Sequence, residues 1–294
     1  YIVIYFILYD SFLRFLSFFT WYNIFYISIA FYFVYEMCSL FYFGIQIHTN
    51  MKNFFLFALL VASANAFSQT ADEVINKYLA ATGGLDKWSK VTSIKTMGYY
   101  TMGPGMNAPV SEVQVNKPFL GHYNDFTWQG MTNRSSMRAD SGWTYNPFGG
   151  KRETDPMSAE QIKRDKLEAD PQGLLVKYKM KGYAIDYLGS EDMDGTDVFK
   201  IRLTTKEGDM VYYFFDSETY YLLKISKRLK FKDKEEKSSV LFSDFKKTDY
   251  GIVLPFAAQN VDEHGAEQGG PVTVTKIEVN SVLDMTVFEK PGNP

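Results

Sequence analysis

Beyond residue 68 the chain holds two histidines, His122 and His264, and they are the first places to look for chemistry. His122 has Asp125 three positions on, and an imidazole beside a carboxylate is the raw material of acid–base catalysis. A strand histidine that is half exposed is far more often structural, and His122 reads that way. His264 lies in Asp262-Glu-His-Gly-Ala-Glu267, a polar stretch with a glycine that reads as a hairpin loop. Asp192-Met-Asp194-Gly-Thr-Asp197 opens like a calcium loop, but the twelfth position is Leu203 where a bidentate Glu is required, so a hairpin turn is expected. Gly103-Pro-Gly105 and Phe148-Gly-Gly150 read as turns, since neither leads into the Lys-Ser/Thr pair of a phosphate-binding loop. The sole cysteine is Cys38, which leaves the remainder without a thiol nucleophile, a disulfide or a thiolate ligand for zinc. No catalytic residue, metal site or cofactor is expected, and the chain does not read as an enzyme.

The elements that would position any site begin after an unusual leader. Residues 1–50 are crowded with Tyr, Phe, Ile and Asn and carry Asp10, Arg14 and Glu36 as their only charges. They read as translated upstream non-coding sequence, with one or two transmembrane helices as the alternative; an anchor needs flanking Lys or Arg to fix its orientation. Residues 51–68 read as a secretory signal peptide, with Lys52 as the charged region, Phe54 to Ala62 as the apolar one, and cleavage after Ala66 or Ser68. No cysteine follows either site, so a soluble periplasmic product without a lipid anchor is expected. Residues 69–294 suit a single β-rich domain. A net charge of −3 with both signs interspersed gives no reason to expect a nucleic-acid partner.

Within that domain, residues 70–82 predict a helix with Thr70 as N-cap, Asp72 and Glu73 in its first turn, and Gly83-Gly84 as its stop. Strands are expected at 94–102, 110–116, 121–128 and 132–139. Ser158-Ala-Glu-Gln161 then spells a capping box and a helix to Ala169, followed by a second short helix holding Leu174, Leu175 and Tyr178. Strands resume at 183–189, 197–205, 210–216, 220–227, 239–246, 252–260 and 272–279. Phe199, Ile201 and Leu203 alternate with Lys200, Arg202 and Thr204, the mark of a sheet with one wet face. The charge run over 227–237 reads as a solvated hairpin end. The fold class is α+β, a curled antiparallel sheet enclosing its helices.

Aromatic residues are abundant in these strands, and in residues 211–215 both faces are apolar, so one must be covered by helices, ligand or another chain. Taken in order, Ala80-Ala-Thr-Gly-Gly84, Asp140-Ser-Gly-Trp143-Thr-Tyr-Asn-Pro147, Phe214-Phe-Asp-Ser-Glu-Thr219, Phe242-Ser-Asp-Phe245, Asp249-Tyr-Gly-Ile-Val-Leu-Pro-Phe256 and Phe288-Glu-Lys-Pro291 resemble the LolA-like, outer-membrane lipoprotein-sorting group. The resemblance implies a curled, unclosed antiparallel half-barrel with an N-terminal helix and short lid helices over its concave face, an apolar cavity for acyl chains, no catalysis and no cofactor. Its best-known members have an Arg shortly after a Pro on an early strand; here Lys117-Pro118 is followed by Phe119-Leu-Gly-His122, and that Arg has no counterpart.

The expected function is therefore a periplasmic carrier or binding protein for a lipidic ligand. Its expected partners are a lipid or acylated lipoprotein and an envelope membrane protein, and it is expected to be a monomer. The cavity lining read from alternation is Phe199, Ile201, Leu203, Tyr212, Phe214, Leu223 and Ile225, with Trp128 and Trp143 near the mouth and Leu174, Leu175 and Tyr178 in a lid. The competing expectation is a structural or interaction module of the cell envelope whose sheet is filled by its own side chains.

Overall fold

The computed structural model describes residues 32–35, 69–150, 153–232 and 234–291. The chain divides into two units, Tyr1–Ser68 and Gln69–Pro294. Of the first, residues 32–35 form a helical turn; the expected signal peptide, residues 51–68, with both expected cleavage sites, lies outside the described residues. Among the described residues no helix is long and apolar enough to cross a membrane.

In the second unit, helix α1 (Ala71–Ala81) begins where its cap residue demands: Thr70 is extended and its hydroxyl accepts from Glu73 N at 3.2 Å. Val74, Ile75 and Leu79 form its buried stripe, each contributing about 1.5–3 kcal/mol by leaving water. Gly83, at φ +119°, ends it, and a side chain there would also meet Gly251 O at 2.8 Å. A single turn, α2 (Leu85–Trp88), follows. Its Trp88 is buried and donates from Nε1 to the Thr82 hydroxyl at 3.0 Å.

The remainder is one antiparallel sheet of thirteen strands in the order β6-β5-β4-β3-β2-β1-β13-β12-β11-β10-β9-β8-β7. These are β1 (Ser93–Gly103), β2 (Met106–Val115), β3 (Gly121–Trp128), β4 (Met131–Arg138), β5 (Ser141–Tyr145), β6 (Asp155–Pro156), β7 (Ala184–Met193), β8 (Thr196–Thr204), β9 (Met210–Asp216), β10 (Leu222–Lys230), β11 (Glu235–Lys247), β12 (Val253–Val261) and β13 (Val272–Val279). The sheet is not closed: its edge strands, β6 and β7, follow one another in the chain. Between them run helix α3 (Ala159–Glu168), with both halves of the predicted capping box in place, and a turn, α4 (Tyr178–Lys181). Each ladder joins sequential strands except that of β1 with β13. The neighbouring β12–β13 ladder is short, with Ala257 opposite Thr273 and Ala258 opposite Val272, whereas β11–β12 is paired from Ser239/Val261 to Lys247/Val253.

Several elements extend or correct the expectations. Strands β5 and β6 were not foreseen, because five residues bounded by Asp, Gly and Asn look like a turn. The predicted calcium-like run is a tight β7–β8 hairpin, with Asp194 and Gly195 at positive φ and Gly195 N donating to Asp192 Oδ1 at 3.2 Å. The His264 stretch is a loop in which Asp262 Oδ1 accepts from His264 N and Ala266 N. The charge run is mostly strand, filling the end of β10 and the start of β11, and several of its side chains are engaged by α3.

Candidate functional site

Strand alternation sorts the sheet into two faces, and the inner one, under the helices, has an apolar half and a polar half. The apolar half is set by register: Ile201 faces Tyr213 and Leu203 faces Val211 across β8–β9, while Ile225 faces Tyr213 across β9–β10. Over these pack Val74, Ile75 and Leu79 of α1, Leu174, Leu175 and Val176 from the turns before α4, where a short helix was expected, and Tyr178, which opens α4 itself. The Tyr78 and Phe215 rings meet in a tilted contact, 5.2 Å between centres. Burial pushes the Tyr78 hydroxyl up to about 12, so it stays neutral in this apolar setting.

Not every predicted lining residue belongs to this face. Phe199, Ile201, Leu203 and Ile225 do, and Leu174, Leu175 and Tyr178 cover them. Tyr212 and Phe214 lie on the outer face, one residue out of step. Phe214 sits beneath the ammonium groups of Lys200 and Lys224 at 5.0 and 5.4 Å, and Tyr212 beneath the Arg228 guanidinium at 5.3 Å. The physical reason is that β9 is apolar on both sides, and long cationic stems shield the outer aromatics. Leu223 falls at the bulge between Leu222 and Lys224 and is outside the inner cluster. Trp128 shares the inner face with His122 at the hairpin end of β3. Trp143 pairs with Ser136, which pairs with Tyr123, and this column belongs to the outer face.

The polar half lies beneath α3, and sequence reasoning did not foresee it. His122 is buried, not half exposed, with its side chain 3 % accessible. Its Nε2 is 2.8 Å from Glu112 Oε1, and its Nδ1 is 3.2 Å from Asp165 Oδ2, an ion-pair contact whose alignment falls short of a hydrogen bond. Burial opposes a charge on the ring, yet the Asp165 and Glu112 carboxylates together outweigh it and push the imidazole up to about 10. His122 is thus an imidazolium at neutral pH. Asp125, its supposed partner, faces the other way and accepts from Ser111 N and the Tyr123 hydroxyl, both at 3.1 Å.

Further contacts tie α3 to both walls of the sheet. On one wall, Gln114 Nε2 of β2 donates to Glu168 O at 2.8 Å. On the other, Lys227 of β10 pairs with Glu168, and Arg164 Nη1 pairs with Glu236 of β11 at 2.8 Å. Lys163 Nζ reaches the buried Asp209 at 2.7 Å, where Lys230 N also donates to Asp209 Oδ1 at 2.8 Å. Desolvation would raise the Glu168 carboxyl, but the Lys227 ammonium overrides it and holds the group below the usual range. The helix is a strap across the trough. Its acidic positions, Asp165 and Glu168, look in the sequence like an ordinary helix surface; the signal that could have found them is Glu112, Gln114 and His122 falling on one face of a hairpin.

One ligand atom from each of Glu112, His122 and Glu168 lies within 4.8 Å of the others, a spacing a divalent cation can bridge. The charges already present argue for a compensated ion-pair network instead. The His122 imidazolium answers Glu112 and Asp165, and the Lys227 ammonium answers Glu168, so a cation would have to displace both.

No family model matches the chain, and no curated protein matches it either. Among solved structures, it is similar to a putative outer membrane lipoprotein-sorting protein domain from Vibrio parahaemolyticus, with 14% identity over 74% of this chain and 95% of that one and a TM-score of 0.48. It is also similar to a LolA superfamily protein from Nitrosomonas europaea, with 12% identity over 74% and 97% and a TM-score of 0.46. A third is a DUF1329 family protein from Desulfovibrio piger, with 14% identity over 74% and 96% and a TM-score of 0.49.

Proposed function

We propose that this chain is an exported carrier or binding protein for a lipidic ligand, lipoprotein acyl chains or another envelope lipid, working in the periplasm after cleavage following Ala66 or Ser68. The observation that carries the reading is the inner face itself. An open sheet presents Phe199, Ile201, Leu203, Tyr213, Phe215 and Ile225 beneath a cover made of the segment that joins its two edges. The cover has two kinds of contact. Leu174, Leu175, Val176 and Tyr178 give apolar closure, whereas α3 is held largely by ion pairs, of which the exposed ones break at low cost and the buried pairs to His122 and Asp209 do not. An acyl chain that displaced residues 174–178 would gain about 0.8 kcal/mol per buried CH₂, offsetting the exposure of those side chains. No catalytic step forms part of this function. The partners would be an acylated lipoprotein or lipid and an envelope membrane protein, with the carrier acting as a monomer.

The test is native mass spectrometry of the protein expressed from Met51 and purified from a periplasmic extract. A co-purifying mass that disappears on organic extraction and yields a fatty-acylated species is the expected result. A clean unliganded mass with no uptake of added lipid would overturn the carrier reading. It would favour an envelope interaction module, for which the supporting observation is that Ile201, Leu203, Val211 and Phe215 are already sealed by the chain's own side chains.

A further inference from the structure

The outer face carries a feature that the lipid-carrier reading does not use. Behind β4, β5 and β6, against the C-terminal segment, lies a pocket of about 420 Å³, within the size range of small-molecule sites. Ser136 and Trp143, partners across β4–β5, both line it and are only 1 % and 7 % exposed. Their polar atoms, Ser136 Oγ and Trp143 Nε1, are shut off from solvent and have no hydrogen-bond partner. An indole N–H can only donate, and a serine hydroxyl can donate as well. Two cross-strand neighbours therefore share the same lack, an acceptor. Folded proteins rarely leave such groups unpaired, because each costs about 1–3 kcal/mol.

The charge around the pocket says what kind of acceptor fits. Arg138 and Lys290 also line it. Among the described residues neither has a carboxylate at ion-pair distance; the Arg138 guanidinium rests 4.4 Å from the centre of the Phe119 ring. Two uncompensated cations beside two unsatisfied donors call for an anionic oxygen, and an arginine fork matches a carboxylate in particular. The rest of the wall is apolar, from the Trp143 ring, Pro156 and Phe288, which suits a ligand with a hydrocarbon or aromatic body behind its charge. Nothing in this arrangement depends on the helix-covered face, because the Trp143–Ser136 column lies on the opposite side of the sheet.

We propose that this outer pocket binds a small organic carboxylate. Its charge is met by Arg138 and Lys290, its apolar body lies against Trp143 and Phe288, and a small shift of the Trp143 ring on binding opens Nε1 and Ser136 Oγ to its oxygens.

The experiment follows the indole N–H resonances of the ¹⁵N-tryptophan-labelled protein, with Trp143 assigned through Trp143→Phe, during titration with phenylacetate. A saturable downfield shift of the Trp143 resonance is expected, while Trp88, whose N–H already has the Thr82 hydroxyl, stays in place. Arg138→Gln, an exposed position, should weaken the apparent affinity about tenfold, the equivalent of one charge-assisted contact. The neutral methyl ester of phenylacetate should leave the spectrum unchanged. No shift with phenylacetate at about 10 mM, tenfold above a weak millimolar Kd, would overturn the proposal. An undiminished response in Arg138→Gln would do the same. If inorganic phosphate gave the same shift at the same concentration, the assignment to an organic carboxylate would be wrong.

Discussion

At the scale of single residues, His122 joins β3 to α3 through a charge it could not hold in isolation. Its pKa is raised in the folded state, from an ordinary value of 6.5 to about 10, so the stability it contributes is complete below about pH 6.5 and is lost as pH rises toward about 10. Protection factors along α3, that is exchange corrected for its intrinsic base catalysis, should therefore fall between those limits while those of α1 hold. In His122→Gln that pH dependence should disappear. The same substitution should lower stability in denaturant unfolding by about 2 kcal/mol, because it leaves Glu112 and Asp165 without their cation, and partial exposure of Glu112 keeps the loss below that of a fully buried pair. Protection factors along α3 that do not change with pH in the native protein would refute the assignment of the charge. The sequence shows His122 plainly but not its burial: a strand pattern tells which residues share a face, not that a helix some forty positions later will close over it.

For strands and helices, the pattern is legible where polarity alternates and illegible where it does not. β8 alternates, and its inner residues are those predicted. β9 is apolar on both sides, and there the reading slipped by one residue and selected Tyr212 and Phe214 in place of Tyr213 and Phe215. The slip gives a sharp comparison. Ile201→Ala removes a side chain with no exposure and should cost about 2–5 kcal/mol by thermal or chemical denaturation. Tyr212→Ser, on the outer face under Arg228, should cost about 1 kcal/mol or less. Equal losses would mean that the two faces of β9 have been exchanged. Both helix starts, at Thr70 and Ser158, were visible because a cap is a local signal, whereas β6 owes its two residues wholly to its neighbour β5.

On the scale of the whole molecule, the open antiparallel sheet follows from hairpin after hairpin, and the resemblance to the lipoprotein-sorting group implied the same shape. The position of β1 beside β13 did not follow from local pattern, since it joins residues far apart in the chain and is fixed only when the sheet curls. It leaves β12 and β13 meeting through two residue pairs amid long ladders. One end of that seam is fastened, for Val253 N donates to Thr82 O at the end of α1 and Lys87 reaches Gly251 O. The sheet is therefore expected to flex at that seam, with β6 to β13 as one leaf, β12 to β7 as the other and α3 as the clasp between them. Amide exchange at Ala257, Ala258 and Thr273 should outpace that of the mid-strand amides of β11, and uniform protection across the sheet would contradict the hinge. On the proposed carrier reading, a cargo that displaced residues 174–178 would also widen the trough along this seam, so the capacity of the protein would be set by how far the contacts of α3 yield and not by the volume of any cavity present at rest.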